Sequence, residues 1–461
     1  MSALQRAMLA AVPVALAACS HDPNLGDANT RPDYVKGEIL SATYDGTSND
    51  LLTAGLGKSG LAGAAPAVAT PSAPTPKELR TLAIYNNYRA LVDMTAKGGY
   101  GVLYGPNIDV NGNDSLGEGK VAGEEHIAYA DDGSGKQNVT MMVQIPASFS
   151  LDNPCIVSAV SSGSRGVYGA IATAGEWGLK HGCAVAYSDK GSGNGGHDLA
   201  ANTVDNIQGT RMSAASAGMG SEFTADLSAS DLTAFNNAFP NRWAYKHAHS
   251  QQNPEATWGR DNLRAIEFAF YMLNQKFGEN HGGTVYKSDK LSLEKTIVIA
   301  SSVSNGGGAA IAAAEQDTQG LIDGVAVGEP QVQVNLPASV VVKRGANAVV
   351  GGGKSLYEYF AIANLYEPCA ALADASANAV GLAPILLVNK TAAANRCAAL
   401  AANGLVTGAT TTDQANAALA KMLASGWEAE SIPFMPTHYI FAVLPVEMTY
   451  ANAYSKSSVK D

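Results

Sequence analysis

The sequence predicts an α/β fold with a mostly parallel sheet, and three observations predict it. Cys155 to Val160 is a short apolar run that leads into a turn rich in Ser and Gly, a helical stretch over 170–180 and a second buried strand over 183–187. Strand, helix and strand joined in this way make a βαβ unit, which needs parallel neighbours. A periodic helix over 260–276 places Leu263, Ile266, Phe270, Leu273 and Phe277 at core spacing and feeds another strand over 296–300. That strand ends in Ser301-Ser302-Val303-Ser304-Asn305-Gly306-Gly307-Gly308, followed by a helix of small residues.

The remaining elements follow in chain order. An apolar run from Ala7 to Ala18, behind Arg6, has the length of a signal-peptide core and is too short to span a bilayer, so residues 1–18 read as an export signal. Leu16-Ala17-Ala18-Cys19 resembles a bacterial lipobox, in which Cys19 is lipidated; ordinary cleavage beside the same small residues is the alternative. Residues 19–76 read as a loop-like extension that ends in a Pro/Ala/Thr-rich linker. The α/β core is expected over 77–330, opening with a helix over 77–96 and a hairpin of strands over 124–130 and 139–145. Residues 192–250 are polar and read as a surface excursion, while 331–461 turn Ala-rich and helical, which suits a cap inserted over a sheet edge.

Cys155, Cys183, Cys369 and Cys397 are spaced as two local pairs, so bridges 155–183 and 369–397 are expected in an exported chain, with free buried thiols as the alternative. No CxxC spacing occurs, and neither metal nor redox chemistry is expected. A formal charge of −11 excludes a basic surface for phosphates and argues against nucleic acid as a partner.

The chemistry gathers at Ser304. A strand that turns sharply into a helix presents its serine as a nucleophile elbow, the device of the α/β-hydrolase fold, and crowds the residues two before and two after it. Ser302 and Gly306 hold those positions; Gly is usual at the first, so Ser302 departs mildly from the pattern. The helix start favours a developing oxyanion, and the backbone N–H of Asn305 is placed to donate to it. A second donor is expected from the loop after the 155–160 strand, around Gly163 and Ser164; a plain tight turn is the competing reading. No Gly-Lys-Ser/Thr follows those glycines, which excludes a phosphate loop. A hydrolase of this kind has its acid and then its histidine after the serine, yet His438 is the single histidine beyond Ser304. His247 and His249 precede the serine and read as part of a polar loop rather than a metal site.

Long runs of the chain resemble the D-(−)-3-hydroxybutyrate oligomer hydrolases, bacterial enzymes that cleave short esters released from polyhydroxybutyrate. They are YVKGEI from Tyr34, LLTAGLGKSGL from Leu51, IYNNYRALVDMTAKGGYG from Ile84, SSGSRGVYGAIATAGEWGLKHGCAVAYSDKG from Ser161, KHAHSQQNPE from Lys246 and SSVSNGGGAAIAAAEQ from Ser301. The resemblance implies a cofactor-independent serine esterase acting on small ester oligomers, with Ser304 as the charge-relay serine and His438 in the cap. It also implies that the chain is C-terminally truncated, with the last sheet strands and the triad acid and base beyond residue 461. A secreted tannase- or feruloyl-esterase-like enzyme, or an inactive oligomer-binding remnant, are the alternatives.

Overall fold

Apolar residues alternate along the central strands and so divide between two faces of one seven-stranded sheet. The computed structural model describes residues 26–461 except 333, 335, 338, 350–353 and 377–382, with backbone alone over 383–389. The signal segment and Cys19 lie outside the described residues. The strands are β1 (Val35–Tyr44), β2 (Gly123–Ala130), β3 (Val139–Pro146), β4 (Cys155–Val160), β5 (Ala184–Ser188), β6 (Ile297–Val303) and β7 (Gly324–Gly328). Their spatial order is β1-β2-β3-β5-β4-β6-β7.

On one face Met141, Val143, Ile145, Ile156, Ala184 and Ala186 pack against α2 (Trp258–Phe277) through Ile266, Phe268, Ala269 and Leu273. On the other, Met142, Val157, Val185 and Tyr187 meet Leu51, Leu52 and the helix α1 (Pro76–Leu91) at Ile84 and Tyr88. Thr75 starts α1 with a capping box, its side chain accepting from the Glu78 N–H while Glu78 accepts from the Thr75 N–H. Helical turns over 167–180 cross from β4 to β5.

The expectation of a mostly parallel sheet needs correction. The pairs β5–β4, β4–β6 and β6–β7 are parallel, whereas β1–β2, β2–β3 and β3–β5 are antiparallel. The hairpin supplies two of the antiparallel strands. The third comes from residues read as loop, because β1 lies at the sheet edge where its outer residues stay polar and break the alternating signal. Leu51, Leu52 and Leu61 behind it are fully buried. The stretch 192–250 likewise carries a small four-stranded sheet instead of plain loop, its strands only three residues each.

Beyond β7 the chain is helical, with α4 (Leu356–Ala370), α5 (Ala383–Ala402) and α6 (Thr411–Ala424) around a separate core of Ala363, Leu400, Ala418 and Met422. Disulfide bonds join Cys369 to Cys397 across α4 and α5, and Cys155 to Cys183 at the starts of β4 and the β5 region. A last helix, α7 (Met448–Ser455), returns to the sheet, where Tyr450 packs with Val160, Trp258 and Ala309.

Candidate active site

Strand order places the site. From β4 the chain crosses to β5 on one side, whereas from β6 it passes through α3 (Ser304–Gln316) to β7 on the other. The loops leaving the adjacent strands β4 and β6 therefore part at a topological switch point, which opens a crevice beyond the strand ends.

Ser304 stands at that switch point, directly after β6. It is the first residue of α3, it is exposed, and its φ is +57°, a left-handed conformation that costs an L-residue about 1–2 kcal/mol. Its hydroxyl makes no hydrogen bond to any described residue, so the strain is not repaid by a local polar contact. Close packing enforces the turn. A Cβ on Gly306 would stand 2.6 Å from the Val160 carbonyl oxygen and 3.0 Å from that of Ser161. Ser302, at the position where glycine is usual, donates its hydroxyl to the Val160 carbonyl at 2.5 Å and so joins β6 to the end of β4.

Asn305 ties the two loops together. Its side-chain Oδ1 accepts the Gly163 N–H at 2.5 Å, and its Nδ2 donates to the Tyr450 hydroxyl at 3.1 Å. Tyr450 donates in turn to Gln331 Oε1 at 3.1 Å, and the Gln331 N–H donates to the Ser304 carbonyl at 2.9 Å. The Gly163 N–H, expected to face an oxyanion, is therefore engaged with Asn305, a correction to that assignment. A buried amide must satisfy its oxygen, and this loop N–H lies within its reach. The N–H groups of the first turn of α3, Asn305 among them, remain the free donors that every helix start provides.

Beneath the β4 loop lies a buried cation that sequence reasoning missed. Lys190 Nζ donates to the carbonyls of Ser161 at 2.7 Å and Gly163 at 2.8 Å. Burial, opposed by Asp189 and helped by the Arg165 charge, pushes this ammonium down to about 7. The signal available was only Asp189-Lys190-Gly191 after a buried strand, with nothing to distinguish it from a surface turn. His247, read as part of a polar loop, is instead buried, and its Nδ1 shares a 2.6 Å hydrogen bond with the Ser164 hydroxyl. Its Nε2 has no partner among the described residues. Burial, then the nearby Lys190 charge, holds this imidazole down to about 3, so it stays neutral. His249 accepts the Tyr245 N–H, away from any ligand set, and no group of three metal-binding side chains occurs among the described residues. His438 lies in the helical layer, 3.0 Å from Glu367 and stacked on Phe360.

These features define a mixed α/β protein that presents a strained, exposed serine at a strand–helix junction, with a second loop clamped beside it. The chain belongs to the 3HB-oligomer hydrolase family, whose model matches residues 15–461. It is 60% identical over 457 residues to a D-(−)-3-hydroxybutyrate oligomer hydrolase of Polaromonas naphthalenivorans, covering 98% of this chain and 64% of that one. Proteins of the same description from Albidiferax ferrireducens and Paraburkholderia xenovorans are 56% and 54% identical, over 99% and 98% of this chain. The chain spans 64–65% of the length of these relatives. No solved structure matches it.

Proposed function

We propose that the protein is a serine esterase of the α/β-hydrolase type that hydrolyses D-(−)-3-hydroxybutyrate oligomers to shorter hydroxy acids. The observation that carries the reading is the left-handed backbone at Ser304, held there by contacts that leave no room for a side chain at Gly306. A non-glycine residue in that conformation, exposed at the end of a sheet strand, is the signature of a nucleophile elbow. The switch-point position and the relatives' printed activity support the same reading.

In the proposed reaction the Ser304 oxygen attacks an ester carbonyl, and the alcohol end of the cleaved oligomer leaves. Water then attacks the acyl-serine and releases the acid with Ser304 restored. The Asn305 N–H, at the positive end of α3, donates to the oxyanion of both tetrahedral intermediates. With the Gly163 N–H engaged, the second donor falls to the neighbouring Ser164, whose N–H makes no hydrogen bond to a described residue and whose hydroxyl His247 orients. Export, to the cell surface through Cys19 or free, belongs to the proposal too; two disulfide-bonded pairs favour an oxidising compartment.

A fluorophosphonate probe followed by peptide mapping tests the nucleophile, and hydroxybutyrate trimer hydrolysis tests the substrate. We expect labelling confined to Ser304 and trimer cleavage lost in Ser304→Ala. Labelling at another residue, or a Ser304→Ala protein as active as the parent, would overturn the assignment; faster cleavage of feruloyl esters would overturn the substrate.

A further inference from the structure

Beside the β4 loop lies a cavity of about 610 Å³, within the range of small-molecule sites, whose lining includes Arg80, Glu125, Arg165, Tyr168, Asn194 and Glu222. Two guanidinium groups reach it, and they differ in one respect. Arg80 is matched by Glu125 in a two-pronged pair, Nε to Oε1 and Nη2 to Oε2, each at 2.9 Å. Arg165 has no carboxylate within ion-pair distance among the described residues. It spends Nε on the Ser162 carbonyl at 2.6 Å and Nη2 on the Gly169 carbonyl at 3.2 Å, and Nη1 is left over. A half-buried guanidinium without a counter-ion is costly unless a ligand supplies one.

From this unmatched cation in a ligand-sized cavity we propose that the cavity is a recognition site for a small carboxylate, and specifically for the acid end of the oligomer. The second part rests on the function proposed above. A hydroxybutyrate oligomer is neutral along its length and carries a single carboxylate at one terminus, so that group alone can set the register of the chain. Arg165 stands two residues from Gly163, which is bonded to the neighbour of Ser304, so a chain held there by its acid end is anchored to the same loop that flanks the elbow.

Glu222 strengthens the match. Its carboxyl makes no hydrogen bond to a described residue, and burial, with Asp189 and Asp205 repelling and Lys246 attracting, raises it to about 8. At neutral pH it keeps its proton and can donate to a bound carboxylate beside Arg165. The Tyr129 hydroxyl also feels the Glu222 charge, and Asp205 is itself paired with Arg211. As pH rises through about 8 the Glu222 proton is lost, and a second negative charge then opposes the ligand.

Calorimetry on the full chain carrying Ser304→Ala, which cannot turn the ligand over, tests this with hydroxybutyrate trimer, its methyl ester and the monomer acid. We expect the trimer acid to bind about tenfold or more tighter than its ester, the worth of charge-assisted hydrogen bonds. The preference should disappear in Arg165→Gln, shrink in Arg165→Lys, and weaken above pH 8 in the parent but not in Glu222→Gln. Equal binding of acid and ester, or an undiminished preference in Arg165→Gln, overturns the carboxylate site. A monomer acid bound as tightly as the trimer overturns the oligomer-end assignment in favour of a site for released acid. Glu222 is outside the β4 loop, so its variant reads the site even if Arg165→Gln disturbs that loop. Probe labelling of Ser304 in the parent is measured separately, so loss of the nucleophile reading and loss of this one are told apart.

Discussion

Replacing Ser304 by glycine and by alanine separates the chemistry of the hydroxyl from the strain of the backbone that carries it. At φ +57° an L-residue bears about 1–2 kcal/mol that glycine does not. Glycine gives back about 0.5–1 kcal/mol through the larger freedom of its unfolded chain. Both variants lose the hydroxyl, which is exposed and makes no hydrogen bond to a described residue, so its removal should cost the fold little. The difference leaves Ser304→Gly more stable than Ser304→Ala by about 0.5–1 kcal/mol, a rise of about 0.5–1 °C in the melting transition of a chain this size. Parallel thermal and urea denaturation of the two purified variants measures it, and neither variant should take up a fluorophosphonate. An alanine variant as stable as the glycine variant, or more so, would refute the argument that the elbow is held in strain by its surroundings.

Four further outcomes follow from the same contacts. Gly306→Ala should lower stability by about 1–3 kcal/mol and slow Ser304 labelling, because the added methyl meets the Ser302 hydroxyl and, behind it, two backbone carbonyls that cannot swing aside; unchanged labelling and stability would contradict the close approach. Lys190→Met leaves the Ser161 and Gly163 carbonyls without their buried donor, at about 1–3 kcal/mol for each unsatisfied group, read by denaturation. His247 titrates near 6.5 when unfolded but only at about 3 when folded, so between those values the unfolded chain binds more protons and stability falls as pH falls; His247→Gln should flatten that part of the stability–pH curve. Breaking the Cys155–Cys183 bond by a paired serine replacement frees a loop of 28-residue separation, worth about 3–4 kcal/mol in the chain-entropy account, and a calorimetric scan should show it.

How legible these features were depended on how far each one reached along the chain. The elbow is local: a strand, four small residues and a helix lie within about twenty positions, so Ser304 and the need for Gly306 could be read directly. Strands β2 to β5 announced themselves through period-two alternation or continuous apolar runs. Strand β1 did not, because its burial pattern is mostly exposed with no period-two alternation, and pairing to β2 makes it a strand. The same limit governs the site. The Gly163–Asn305 bond spans 142 positions and the Asn305–Tyr450 bond 145, separations at which no sequence period carries a signal. His247 and Lys190 look like loop residues in sequence, and only the folded β4 loop turns them into its buried supports.

That arrangement bears on how the two loops act as one. Asn305 follows the serine directly, and its side chain enters a chain of hydrogen bonds from Gly163 through Tyr450 to Gln331, which returns to the Ser304 carbonyl. The backbone N–H of Asn305 serves the proposed oxyanion while its side chain sets the position of the loop that carries Ser164 and Arg165. A change at Tyr450, 145 positions from Asn305, should therefore loosen both loops without replacing a residue of either. Tyr450→Phe keeps the ring against Val160, Trp258 and Ala309 and removes only the hydroxyl. It should slow Ser304 labelling and weaken the acid-over-ester preference together, while leaving the free energy of unfolding within about 1–2 kcal/mol of the parent. If one property changes and the other does not, the two loops are not held by a common clamp.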